Sequence, residues 1–289
     1  MIVVLVVVAV GALSGLFAWA VTRRWPNHDP VAPSIGPGSP VLEAPGAGRR
    51  GRLRALWRAR LDPEVATGLA LTLAVATFVV LVVAAGVLLF MVRTETGFAR
   101  FDLAFARWGA TNATLESTAV LRRLSLLGGT AGVLFVAVVV GVIEYRRLPD
   151  RAVPTLLVAT VLGQFAVTNG IKEIVERARP DISQLTGFAG SSFPSGHAAA
   201  AAATFAVVAL LVGRRRTRSA RAVIAGMAVA VAVIVAGTRV LLGVHWLTDV
   251  LAGLAVGWAW FALWSIAFGG RLLEFGAPGA LAERVASRD

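Results

Sequence analysis

Three short runs hold the residues whose types and spacing suit work on an oxyanion: Lys172 with Arg179-Pro180, Pro194-Ser195-Gly196-His197, and Arg239 with His245 and Asp249. Each run lies at the edge of a strongly apolar stretch. An ionised side chain at a bilayer centre costs about 2.5–3.5 kcal/mol on insertion scales, so charged and titratable groups gathered beside such stretches point to a functional site. Three cations, two imidazoles and a carboxylate are what an attack on phosphorus requires.

Each run also has a plainer explanation. Lys172 and Arg179 stand seven positions apart, two helical turns, so one helix face ended by Pro180 is expected to carry both. Together they would grip one anion, Arg as a planar fork and Lys as a point charge. The alternative is a pair of snorkelling cations, with Glu173 bonded to Arg177 at i, i+4. Ser195 occupies a helix-cap position ahead of Ala198–Ala203, where backbone N–H groups near Gly196 form an anion site and His197 can donate a proton. A simple capped helix would read the same way. His245 and Asp249, at i, i+4, are expected on one helical face, the carboxylate fixing the tautomer so that the other ring nitrogen is free to attack. A carboxylate one turn inside the span Val250 to Phe268 is costly unless it is used.

The composition sets the frame for these runs. The chain has 289 residues, 57% of them hydrophobic and 15% charged, with a mean hydropathy of +0.77. That excludes an ordinary soluble domain and indicates an all-α, polytopic transmembrane bundle. Seven segments are long enough to span, near 1–21, 65–92, 124–143, 152–171, 197–212, 222–242 and 246–268. None alternates with period two, which argues against a membrane barrel. The net charge of +12 sits in loops between spans, so its partner is the anionic bilayer surface rather than nucleic acid. No cysteine is present, and thiolate chemistry is excluded.

Loop charges give an orientation. Lys and Arg number eight in 22–62, three in 145–151, five in 213–221 and three after 268, against nine in the alternating loops. The first set is therefore expected in the cytoplasm, which puts all three motif runs on the extracytoplasmic side of the cell membrane. Residues 1–21 are read as an uncleaved anchor despite Ala18-Trp19-Ala20, which looks like a peptidase site. Residues 22–62 hold half of the prolines and then the Arg-rich run 49–60, expected as a cytoplasmic linker whose basic part forms a surface helix or a solvated turn. A helical core is expected over 63–270 and a cytoplasmic tail over 271–289. Within 93–123, Phe98, Phe101, Leu103, Phe105 and Trp108 suggest an amphipathic helix near the lipid surface, and ordinary packing against the bundle would produce the same pattern.

The three runs resemble the signature of the type 2 phosphatidic acid phosphatase superfamily of lipid phosphatases. The sequence reads Lys172 to Arg179-Pro180, then Pro194 to His197, then Thr238-Arg239 to His245 to Asp249. Only Thr238 departs, standing where the family has serine, and it keeps a hydroxyl. The resemblance implies a six-helix core over 65–268 with one extra N-terminal span. It also implies hydrolysis of a lipid phosphate or diphosphate such as phosphatidic acid, phosphatidylglycerophosphate or undecaprenyl diphosphate. His245 would attack phosphorus, Asp249 would hold it, and His197 would protonate the leaving group and then activate water. Lys172, Arg179, Ser195, Gly196 and Arg239 would hold the phosphate oxygens without a metal or other cofactor. A non-catalytic anion-binding or transport protein would use the same cations, yet would not need His197, His245 and Asp249 together. The sequence does not determine the oligomeric state.

Overall fold

The computed structural model describes residues 1–24, 66–147, 149–214 and 216–274. The expected linker helix at 49–60 and most of the expected tail lie outside these residues. Among the described residues the regular structure is helical: α1 (Ile2–Arg24), α2 (Ala66–Thr94), α3 (Asp102–Asn112), α4 (Leu115–Ser125), α5 (Thr130–Arg147), α6 (Ala152–Val175), α7 (Gly196–Gly213), α8 (Arg218–Leu241) and α9 (Leu247–Glu274). Six of these are long and apolar enough to cross a membrane, and a seventh crossing is available if α4 and α5 form one broken span, bent by 50°. The protein is therefore an integral membrane bundle, because helices satisfy their own backbone in lipid.

Two compact units divide the chain. One comprises Met1–Trp25 and Phe78–Phe261 and contains every motif residue. The other comprises Pro26–Thr77 and Ala262–Asp289, and its described parts are the first turns of α2 and the last turns of α9, where Trp264 and Phe268 pack ring to ring.

Small residues let the helices of the first unit approach closely, as lipid-embedded packing favours. A Cβ on Gly15 of α1 would meet the carbonyl of Gly226 on α8 at 2.6 Å. A Cβ on Gly253 of α9 would meet the Ser195 carbonyl at 2.6 Å and Ala198 Cβ at 3.0 Å. The run Ala198–Ala203 is fully enclosed for this reason. Ala198, Ala201 and Ala202 pack with Ala232, Val235, Ala236 and Val240 of α8 and with Val250 and Leu254 of α9. That cluster lies directly beneath the motif residues. Val3, Val4 and Val7 of α1 pack with Leu121, Leu241, Leu242 and Val244, so the first span packs against the turn that precedes His245.

The span expected at 124–143 is interrupted at Gly128-Gly129, where a short 3-10 turn over Leu126–Gly128 joins α4 to α5. The amphipathic helix expected within 93–123 is divided: Phe98 and Phe101 lie in a 3-10 turn over Gly97–Phe101, and Leu103, Phe105 and Trp108 lie on α3. Phe98, Phe101, Leu103 and Phe105 are exposed, while Asp102, Ala106 and Gly109 form its buried face.

Candidate active site

Lys172 is in the last turn of α6, and Arg179 is not on that helix. The chain leaves the helix at Glu176, which takes a left-handed conformation with φ 49°. This corrects the expectation that one helix face carries both cations: the helix stops a turn before Pro180 requires it to. Beyond Glu176 the chain has no regular structure, and Arg179 turns into the loop 188–191. Its Nε donates to Gly190 O at 2.9 Å and its Nη2 to Ala189 O and Ser191 O at 2.8 and 3.1 Å. Its Nη1 donates to Val244 O at 2.6 Å and lies 3.2 Å from His245 Nε2. All five guanidinium N–H groups are thus engaged, and the Phe188 ring covers the plane at 4.8 Å. Arg179 is the clasp of the loop as well as a neighbour of the imidazole.

Ser195 caps α7 by position only. Its hydroxyl makes no capping bond and is buried without a partner, while its backbone N–H donates to Asp249 O at 2.9 Å. That bond ties the start of α7 to the start of α9. Gly196 follows with Lys172 Nζ 3.8 Å from where a Cβ would stand, so a larger side chain would press on the lysine. His197 faces the break between α4 and α5, its Nε2 3.5 Å from the Cβ position of Gly129.

The third run begins at the end of α8. Arg239 is buried, donates from Nη1 to Ser125 Oγ at 2.8 Å, and keeps its Nε without a partner. Thr238 turns its hydroxyl back to Val235 O at 2.6 Å, so its departure from the family serine stays within its own helix. After Leu242 the chain reverses at Gly243, φ +70°, where a Cβ would strike the carbonyls of Ser183 and Ile182 at 2.7 and 2.8 Å. Only glycine suits that position.

His245 therefore lies in a turn before α9, and it does not share a helical face with Asp249. The pair meets by another route: Asp249, in the first turn of α9, reaches back so that its Oδ2 accepts the Trp246 backbone N–H at 2.9 Å. This is the helix-capping half of a capping box. Asp249 Oδ2 also accepts from Ser192 Oγ and lies 3.5 Å from His245 Nδ1. Because an arginine can only donate, the lone pair is on Nε2 and the ring proton is on Nδ1, facing the carboxylate.

Several residues here were not foreseen. Arg177 pairs with neither Glu173 nor solvent: its Nη1 bonds Asp249 Oδ1 at 2.5 Å and its Nη2 bonds Asp102 Oδ2 at 2.7 Å. Asp102, on α3, also accepts from Thr248 N and Thr248 Oγ1 at 2.9 and 2.6 Å. Ser125 and Ser192 complete the set. The one sequence signal for Asp102 was an acidic residue in an amphipathic stretch, which solvent would explain equally well.

The motif residues are brought together at one end of the bundle. Lys172 lies within Coulombic range of Arg179, Asp249 and Arg239, and His197 within that of Arg239, His245, Lys172 and Arg179. Burial pushes the His245 pKa down to about 4; the Asp249 carboxylate, 3.5 Å from Nδ1, opposes this, while Arg179 and Arg239 reinforce it. Its imidazole is neutral at pH 7. Burial likewise lowers the Arg179 pKa, opposed by Asp249. Among the described residues, no three of His, Cys, Asp and Glu gather as metal ligands.

Fold and site together define a polytopic membrane protein in which a cluster of cations surrounds a buried, neutral imidazole with a carboxylate behind it. The model of the PAP2 superfamily matches residues 153–272. Phosphatidylglycerophosphatase B of Bacillus subtilis (strain 168) is 34% identical over 152 residues, covering 50% of this chain and 71% of that protein. Lipid A 1-phosphatase of Rhizobium etli is 38% identical over 117 residues, 37% of this chain, and there the match spans 46% of the relative. The crystal structure of a transmembrane PAP2-type phosphatidylglycerolphosphate phosphatase from Bacillus subtilis superposes with a TM-score of 0.60 at 25% identity, over 68% of this chain and 96% of that one. The chain belongs to the PAP2 superfamily.

Proposed function

We propose that the protein hydrolyses the phosphate monoester of a membrane lipid, with a phosphatidylglycerophosphate-like headgroup as the first substrate to test, through a phosphohistidine on His245. The observation that carries this reading is the convergence of three distant runs on one pocket in which Ser195 Oγ and Arg239 Nε are buried without protein partners. Buried donors left open in this way suit an anionic ligand. Their neighbours, Lys172 and the backbone N–H groups at Gly196, add charge and dipole for the remaining oxygens.

In the first step His245 Nε2 forms a bond to phosphorus as the phosphorus–oxygen bond to the lipid breaks. His197 gives its proton to the departing oxygen, which leaves as an alcohol. In the second step His197 takes a proton from water, the new oxygen bonds to phosphorus, and the bond to Nε2 breaks to release inorganic phosphate. Arg179 Nη1 must leave Nε2 for the first bond to form, and the incoming oxygens offer it a new acceptor. Asp249 carries the growing imidazolium charge.

The charge distribution of the loops supports an extracytoplasmic site on the cell membrane, and the headgroup of an outer-leaflet lipid would reach it there. Purified His245→Ala in detergent should release no phosphate from phosphatidylglycerophosphate, while EDTA leaves the wild type unchanged. Wild-type protein quenched during turnover should carry acid-labile phosphate on His245. Near-normal turnover by the alanine variant would exclude the nucleophile assigned here. Parallel assays on phosphatidic acid and undecaprenyl diphosphate rank the substrates.

A further inference from the structure

We propose that Arg177, braced by Asp102, is a positioning residue for the nucleophile: it holds Asp249 through Oδ1 so that Oδ2 stays turned toward His245. This rests on the assignment of His245 as nucleophile and deepens it. Asp249 is fully buried and has two oxygens to satisfy. Arg177 takes Oδ1 at 2.5 Å, which leaves Oδ2 for Ser192, the Trp246 N–H and the imidazole. A carboxylate free to rotate about its last bond would exchange these oxygens, and the imidazole would lose its fixed tautomer.

Arg177 is itself held on several sides. Its Nη1 also donates to Thr248 Oγ1 at 2.8 Å, its Nη2 is fixed by Asp102, and the Trp246 ring covers it at 5.5 Å. The Trp246 Nε1 closes the frame by donating to Ala178 O at 2.9 Å. Although Arg177 and Arg179 are only two positions apart, the first reaches the Asp249 carboxylate and the second the loop 189–191. Asp102 adds a link of longer range, because it joins α3 to the first turn of α9 through Thr248 and lies 51 residues before the start of the region matched by the family model, 153–272. The charged groups facing the His245–Asp249 pair are Arg177, Arg179 and Arg239, with Lys172 and His197 across the pocket and Asp102 behind Arg177.

The experiment compares Arg177→Met, Arg177→Lys and Asp102→Asn with His245→Ala as the reference, following phosphate release from phosphatidylglycerophosphate across pH. A misplacement of about 1 Å at a reacting group can cost roughly a hundredfold, so kcat should fall about tenfold to a hundredfold in Arg177→Met with KM held within about threefold. Removing the guanidinium leaves the Asp249 charge unopposed on the imidazole, and the acid limb of kcat moves to higher pH. In Asp102→Asn the guanidinium turns wholly to Asp249, so kcat falls while the acid limb does not rise. Arg177→Lys recovers part of the rate, and it carries the test if the methionine variant does not accumulate in membranes. Loss of binding through KM, or a lowered kcat with an unmoved acid limb in Arg177→Met, overturns the proposal. Activity in His245→Ala would instead overturn the nucleophile on which it rests.

Discussion

Replacing Gly253 by alanine tests how tightly the site depends on the distance between α7 and α9. The added Cβ would stand 2.6 Å from the Ser195 carbonyl and 3.0 Å from Ala198 Cβ. Both are backbone or backbone-anchored atoms and cannot swing aside. An ordinary carbon–oxygen contact needs about 3.4 Å, so against the 2.6 Å of the native backbone the two helices must part by about 0.8 Å. That movement acts on the bond from Ser195 N–H to Asp249 O, 2.9 Å long, which ties the start of α7 to the start of α9. It also draws His197 away from His245. Overpacking of this kind costs about 1–3 kcal/mol of stability. A shift approaching 1 Å at a reacting group should lower kcat by about tenfold or more. Thermal unfolding in detergent and steady-state phosphate release measure the two effects separately. A Gly253→Ala protein with normal kcat, whatever its stability, would refute the claim that the α7–α9 spacing sets the distance between the imidazoles.

Arg239→Gln removes a buried guanidinium whose Nε has no protein partner; loss of one charged hydrogen bond, about 1.5–3 kcal/mol, should weaken inhibition by vanadate about tenfold to a hundredfold. Unchanged inhibition would place Arg239 outside the oxyanion contacts. Protonation of Nε2 abolishes the lone pair, so kcat should decline as pH falls, and because burial holds the His245 pKa at about 4 the decline belongs near that pH. An acid limb in the ordinary imidazole range would refute the buried, neutral nucleophile. The chain has no native cysteine, so Ala189→Cys, on an exposed loop residue, should react with an impermeant maleimide on intact cells. Labelling only after permeabilisation would invert the orientation read from the loop charges.

Physical differences separate what was legible from what was not. The spans could be read directly, because a membrane demands about 20 apolar residues in a row whatever the tertiary packing. The cations, imidazoles and carboxylate of the three runs stood out as candidates, since ionisable groups at the edges of spans are costly unless they are used. Helix ends were less legible. Lys172 and Arg179 suggested one helix up to Pro180, yet Glu176 leaves the helix early with φ 49°, and the stop depends on where the following loop must go. His245 and Asp249 fit an i, i+4 face, yet the aspartate reaches back to the Trp246 N–H and finds the imidazole from the helix start.

By itself the sequence determined a membrane bundle of the PAP2 superfamily and singled out the candidate residues at one end of it, because burial cost and chemical type act on each residue separately. Only the tertiary structure decided which groups those residues face. Asp102 and Arg177, 75 positions apart, meet behind Asp249 at 2.7 Å, and Ser125 meets Arg239 across 114 positions. Contacts of that range depend on how helices cross and where a span breaks. In the sequence these partners are an ordinary charged residue in a loop and a serine near a glycine pair, so nothing local marks them.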